Sequence, residues 1–534
     1  MVRRFALLLA VVSWGCSRPA PEAPKVPLYD NLGTLSHRVT ATPEAQLYFD
    51  QGLRLTYAFN HEEAVRSFRE AERLDPTCAM CAWGQALALG PNINAPMDSA
   101  AGVAAYAAIV RAQRLAASAP EAERAWVDAL ARRYAEVPPA DRAALDSAYA
   151  VAMRALADRY PQDVDAQALA AEALMDLSPW HYWEADGSPR AATPEIVARL
   201  EAALAVSAEH PGACHFYIHA VEAKHPERAV ACAERLAATM PGAGHLVHMP
   251  AHIYIRVGRW ADAIEANRHA VHADDVLLRD ASLDRSGMYG QGYVPHNHHF
   301  LAFAAAMAGQ SATALEAARA AAAAIEPAAA EAFPPVQWQG TAPYVSLVTF
   351  GRWDEILKEP LPPPAQRYAT GMAYYARGVA FARLDRGVEA RAALDSVRAI
   401  EAAVPQDDFR KALTIAGLAL EGEMALSAGR PADAAAKFRG AVALEDGMGY
   451  MEPPIWYYPI RQSLGRALLE AGRPAEAERV YREDLRRFPD NGWSLTGLAL
   501  ALAAQGRGAE AAKVQQQFDA VWKDADVKLV ASRF

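Results

Sequence analysis

The sequence predicts an all-α protein built from repeated antiparallel helix pairs. Three observations predict it. The 534 residues are too many for one ordinary core and call for several domains or a repeat array. The composition is Ala-rich with few β-branched runs and a mixed charged surface, which favours helix over sheet. Small and aromatic residues recur at a period of roughly 34 residues, the length of one helix–turn–helix unit. The net charge of -10 is modest for this length, and no Lys/Arg cluster carries interleaved aromatics, which argues against general nucleic-acid binding.

In chain order, residues 1–16 read as a targeting segment. Arg3 and Arg4 precede an apolar run, 5–12, too short to span a bilayer as a mature helix. The run closes on Ser-Trp-Gly-Cys at Cys16 and resembles a bacterial lipoprotein signal, which implies lipidation of Cys16 and a lipid anchor as the only membrane contact. Ser13 and Trp14 depart from the usual aliphatic pattern of that signal, so simple secretion with cleavage nearby is the alternative. Either route delivers the mature chain to the periplasm, as a lipoprotein or a secreted protein. Residues 17–40 are rich in Pro and polar residues and read as a flexible linker.

An N-terminal array is expected over 41–324, a Pro/Trp-rich joint over 325–368 and a C-terminal array over 369–534. The first repeat carries Tyr48, Gly52, Ala64, Phe68, Ala71 and Pro76. Small residues let two helices approach, the aromatic fills the gap, and Pro76 stops the second helix. The pattern returns in Gly378–Ala390–Leu394, in Gly422–Ala434–Phe438–Ala441 and in Gly465–Ala477–Tyr481–Pro489. In the last copy, Trp493–Gly497–Ala509, Lys513 replaces the aromatic, which suits a capping repeat. These positions resemble the tetratricopeptide repeat (TPR), which implies a right-handed superhelical solenoid whose concave groove binds a protein or peptide partner. The stretches LDPTCAMCAWGQALALGPNINAPM, HLVHMPAHIYIRVGRWADAI, GYVPHNHHFL and MEPPIWYYPIRQSLG further resemble a His-rich group of bacterial exported TPR proteins, and HMPAHIY resembles an animal TPR protein, likenesses that imply fold and export but no chemistry.

Twelve of the fifteen histidines fall between His210 and Phe300. Residues three, four and seven apart share a helix face. His215, His219 and Glu222 have that spacing, as do His245, His248 and His252, and His296 with His299 repeats its shorter part. Three adjacent helices thus present histidine stripes toward the groove. Converging neutral imidazoles need donors or a cation, and imidazole with one carboxylate suits zinc, copper or iron. All eight residues are therefore candidate metal ligands, and seven histidines exceed one tetrahedral shell, so two metals could be held. Pro250 is expected to start a helix and bend the entry of His245 and His248.

Without Cys16, an even four cysteines remain. Cys78 and Cys81 form a CxxC at a helix start, read as a bridge, a metal pair or a redox motif. Cys214 and Cys232 flank the turn of one predicted hairpin and suit a disulfide. The loop 177–192, with Trp180, His181 and Trp183, packs on a neighbouring helix or covers the groove. Asn92, Asn94, Glu452 and Trp456 are minor candidates for lining it.

Three functions follow. The first is an exported TPR scaffold with a His-lined metal site in its middle repeats. The second is a periplasmic metalloenzyme using the same histidines as its catalytic centre. The third is a plain peptide-binding scaffold without metal. A scaffold should show an open groove with scattered, non-converging histidines, and an enzyme an open ligand position beside a closed pocket.

Overall fold

The computed structural model describes residues 26–279, 283, 285–405 and 407–534. Cys16 and the rest of the targeting segment lie outside the described residues. The fold is an all-α array of TPR-type helical hairpins, with no β-strand among the described residues.

The repeat chemistry is visible in the first hairpin, where Pro43–Tyr57 packs against His61–Leu74 and then Ala79–Ala88. Thr42 and Asn60 cap the first two helices by accepting from Ala45 N and Glu63 N. The Phe68 ring is fully buried between Gly52 and Gly84, where an added Cβ would stand 2.8 Å and 2.3 Å from it. Tyr481 plays the same part between Gly465 and Gly497, at 2.3 Å and 2.2 Å. Only hydrogen at those helix positions lets an aromatic ring fill the interface, at roughly 1.5–3 kcal/mol of burial each. The last helix, Gly508–Val521, buries none of its residues, as a capping element should.

Two regions differ from expectation. Residues 26–40 are not a free tether. Val26 O accepts from Tyr48 OH, Tyr29 N donates to Gln51, Leu35 O accepts from Arg54, and Leu32 is buried. Proline-rich composition predicts an extended chain, but this one finds apolar and polar partners along its length. The joint 325–368 is more helical than its composition suggests. It contains Pro327–Ala332, Gln337–Gly340, Ala342–Thr349 and Trp353–Ile356, and Ala342–Thr349 is buried throughout.

The C-terminal repeats fold back on the middle of the chain. The Trp260 indole N–H donates to Pro489 O and the Trp493 indole to Ala306 O, both at 2.9 Å. The Asp526 carboxylate accepts from Ser311 N and Ala312 N at 2.7 and 2.9 Å. It thereby caps a helix whose own N-cap residue, Gln310, makes no side-chain bond.

Candidate metal centre

Three buried segments carry the histidines. The first, Pro211–Val221, is started by His210, whose Nδ1 accepts from Ala213 N at 3.0 Å while Nε2 meets the Asp165 carboxylate at 3.0 Å. With the start fixed, His215 and His219 stand one turn apart on one face. The second segment is broken at Pro250 into Gly244–His248 and Pro250–Arg256. Met249 keeps a right-handed helical conformation across the break, with φ -51° and ψ -34°, so His245, His248 and His252 still converge. The third, Val294–Met307, follows a π-helical turn at Tyr289–Tyr293 and carries His296. Asp274 on Trp260–Leu277 ties that segment down, accepting from Tyr289 OH at 2.6 Å and Asn297 Nδ2 at 2.7 Å.

The side chains form two triads. His215, His219 and His245 offer nitrogens within 4.8 Å of one another, as do His248, His252 and His296. In the second triad His248 Nε2 lies 2.8 Å from His252 Nε2 and 3.1 Å from His296 Nε2. Imidazoles sharing one tetrahedral ion at 2.0–2.1 Å place their nitrogens about 3.3 Å apart, close to these values.

The outer partners settle which nitrogen carries hydrogen. His215 Nδ1 faces Tyr57 O at 2.7 Å, a pure acceptor. His248 Nδ1 faces Asn267 Oδ1 at 2.7 Å, and the Asn267 amide is oriented by its Nδ2 donating to Ala263 O. Glu222 holds two rings, with Oε1 3.0 Å from His219 Nδ1 and Oε2 2.6 Å from His252 Nδ1. Four rings therefore donate outward from Nδ1 and turn an Nε2 lone pair inward, the arrangement by which outer acceptors orient metal-binding imidazoles. Both Glu222 oxygens are engaged this way, so it stands between the triads, and with His219 and His252 it forms a third group whose ligand atoms lie within 4.8 Å of one another.

Electrostatics agree. Burial, reinforced by neighbouring imidazoles, holds His215, His245, His248 and His296 well below the ordinary histidine range. Burial would raise the Glu222 carboxyl, but His252 and His219 outweigh it and hold it at about 2. The result is a carboxylate held ionised among buried imidazoles. His215 Nε2, His219 Nε2 and both His245 nitrogens are buried without a partner, an uncommon state for such groups.

The histidines do not line an open groove, as the face count implies. Five of the six are buried, and His296 is the partly exposed member. Remote segments cover them. Trp180 sits edge-on to His219 with ring centroids 5.0 Å apart and anchors its indole on Ile93 O. The Phe59 ring packs on His215 at 4.5 Å and His245 at 5.6 Å, from a backbone with φ +55°. That left-handed conformation costs about 1 kcal/mol for a residue with a side chain and is held by the ring contacts. A cavity of about 200 Å³ remains beside both triads, between them and residues from 333–339, Met451 and Glu452.

His299 joins neither triad. It is buried against Trp338 and Tyr457, at ring distances of 4.8 and 5.6 Å, and burial lowers it to about 3. A three-residue step turns 300°, and on a helix packed from both sides the 60° difference faces His299 toward the C-terminal half. Asn94 lines the cavity and donates to Tyr293 OH, and Glu452 lines it as well, whereas Trp456 is buried beside Tyr375. Cys78–Cys81 and Cys214–Cys232 are both disulfides, and all four sulfur residues are buried, which leaves no exposed thiol among the described residues. Among the described residues, no helix is long and apolar enough to cross a membrane.

No family model matches the chain, and no curated protein matches its sequence. Among solved structures, the chain is similar to the APC/C hetero-tetramer Cut9–Hcn1 at 12% identity over 90% of this chain and 74% of that one, with a TM-score of 0.30. It is similar to the human IFIT1 dimer with m7Gppp-AAAA at 12% identity, 91% and 92% coverage and a TM-score of 0.34. It is similar to the P58(IPK) TPR domain at 12% identity, 89% and 93% coverage and a TM-score of 0.19. The assignment of the fold rests on the helix pairs themselves.

Proposed function

We propose that this chain is an exported TPR-type protein that holds a transition metal, zinc, copper or iron, at the two histidine triads of its middle repeats. The observation that carries the reading is the meeting of His248 and His252 through Nε2, with both Nδ1 atoms already committed to acceptors. Only a cation between those lone pairs, a metal ion or a proton, makes the contact favourable. Glu222 acts as the common orienting carboxylate, and the triads supply up to three ligands to each of two ions. A protein or peptide partner binds the faces of the array that the covering segments leave open. Export, with lipidation at Cys16 or simple cleavage, rests on the character of residues 1–16.

A catalytic role for the metal is the second reading, and the cavity beside both triads favours it. The metal-free scaffold is disfavoured because it calls for scattered histidines on an open groove.

The test is metal analysis by mass spectrometry of untagged mature protein from the periplasm, beside a His248→Ala/His252→Ala variant. Stoichiometric zinc, copper or iron in the parent and loss of about half or more in the variant support the centre. A parent that stays metal-free after incubation with all three ions overturns it. The histidines are then a proton-bridged structural network.

A further inference from the structure

We infer that the cavity beside the two triads is a binding compartment for a small, neutral, single-ring-sized molecule that offers a lone pair to the bound metal and an N–H or O–H to Glu452. This rests on the metal reading above and adds a ligand class to it.

Size comes first. The cavity measures about 200 Å³. A dry cavity of roughly 150 Å³ holds one benzene ring, so a single ring with a small substituent fits and a peptide does not. Its walls are largely aromatic and apolar, from Trp180, Tyr293, Val336, Trp338 and Met451. No lysine or arginine is among the described residues that line it, so a phosphate or carboxylate ligand finds no cationic side chain there.

Besides Asn94 and Gln339 in the lining, two polar places stand out. One is the imidazole side, where His219, His245, His252 and His296 contribute to the lining. The other is Glu452, which arrives from the C-terminal half. Its Oε1 accepts from Tyr450 OH at 2.6 Å, while Oε2 is buried with no partner. A buried carboxylate oxygen without a donor is costly, and a ligand N–H or O–H supplies that donor. Trp338 Nε1 and Gln339 Oε1, also on lining residues, are likewise buried without partners. Phe333 is the strongly exposed residue of the lining, at 45%.

The experiment uses full-length mature protein loaded with cobalt(II), whose visible spectrum reports a change in metal ligation. It is titrated with pyrazole, which has a lone pair and an N–H, and with 1-methylpyrazole, which lacks the N–H. Pyrazole is expected to shift the spectrum saturably, and 1-methylpyrazole to bind about tenfold more weakly for want of the bond to Glu452. Met451→Trp should fill the space, bind cobalt in full and lose the pyrazole shift. If that variant fails to fold, Val336→Trp fills the same space from the 333–339 segment.

A cobalt-loaded parent whose spectrum pyrazole leaves unmoved at millimolar concentration overturns the compartment and leaves the metal centre standing. So does a pyrazole shift that survives unchanged in the cavity-filling variant. A parent that takes up no cobalt fails at the metal step, which the cobalt stoichiometry reads separately.

Discussion

His248 and His252 meet Nε2 to Nε2 at 2.8 Å across the Pro250 break, while Asn267 and Glu222 occupy their Nδ1 atoms. The backbone reason is that Met249 stays helical where Pro250 cannot donate, so the four-residue step between the rings survives. The chemical reason is that both outer partners are acceptors. Neither ring can turn its lone pair outward without burying an unpaired N–H.

Asn267→Leu removes the acceptor behind His248 alone. Affinity of the second triad for zinc should fall about 10- to 100-fold, with the first triad unaffected. Competition with a chromogenic chelator resolves the two sites, and equal weakening of both would show that Asn267 acts through the fold.

Glu222→Gln should weaken both triads together. It removes the charge that His219 and His252 share and leaves one of those rings facing an amide donor. The same chelator competition should show a loss of about tenfold or more at each site. Retained affinity at both would make Glu222 a packing residue.

The metal-free protein should lose stability on mild acidification. His215, His245 and His296 take up protons in the folded chain only well below their ordinary 6.5, whereas the unfolded chain takes them up near it. The unfolded state then binds more protons below pH 6.5, so stability is full above that value and falls as pH drops through it. The slope approaches about 1.4 kcal/mol per pH unit for each such histidine. Glu222, held at about 2 against an ordinary 4.5, adds a loss confined to the range below 4.5. Urea midpoints measured from pH 8 to pH 5 check this, and a flat profile contradicts buried neutral rings.

Replacing Cys214 and Cys232 together by Ser should cost about 3 kcal/mol, because their bridge closes a loop of 18 residues on the segment that carries His215. Replacing Cys78 and Cys81, only three residues apart, should cost less. Thermal unfolding of the two double variants under oxidising conditions orders them, and the reverse order would contradict the loop argument.

Gly84→Val puts carbon where the Phe68 ring already stands, 2.3 Å from the ideal Cβ position. A loss of about 1–3 kcal/mol is expected, read as a lower urea midpoint. Exposed Gly429, whose added Cβ meets nothing within 4 Å, is not a fair control because its φ is +69°. Gly387, equally open and without that conformation, is.

The helix pairs were legible because the glycine–aromatic contacts recur within one repeat length, as at Gly52 and Phe68. Most of the site was legible for a related reason, since His215/His219 and His248/His252 lie one turn apart on single helices. What escaped the sequence is whatever arrives from afar. Tyr57 O, Phe59 and Asn267 hold the rings from other helices, and nothing in their own neighbourhoods marks them. Trp338 approaches from beyond the repeats that carry the histidines, as does Glu452, which the sequence offered only as a minor lining candidate. His299 shares its spacing with His296 but not its neighbours, which spacing alone cannot distinguish. Residues 26–40 read as a tether by continuity with the Pro-rich stretch that carries Pro19, Pro21, Pro24 and Pro27, while Leu32 and Tyr29 find partners only in the folded body.

The bonds from Trp260 to Pro489 and from Trp493 to Ala306 bridge 229 and 187 positions of sequence. An open solenoid has two loose ends, and copies can be added or lost there with the interior undisturbed. This array is clasped like a bracelet, its last full hairpin buttoned to its middle. The number of links between the clasp points is therefore a condition of closure. Deleting one hairpin between 369 and 487 would swing Pro489 O away from its donor Trp260 and the Trp493 indole away from its acceptor Ala306 O, and would carry Glu452 off with them. In such a chain, length is inherited as part of the architecture, and the terminal hairpin becomes the keystone instead of the edge.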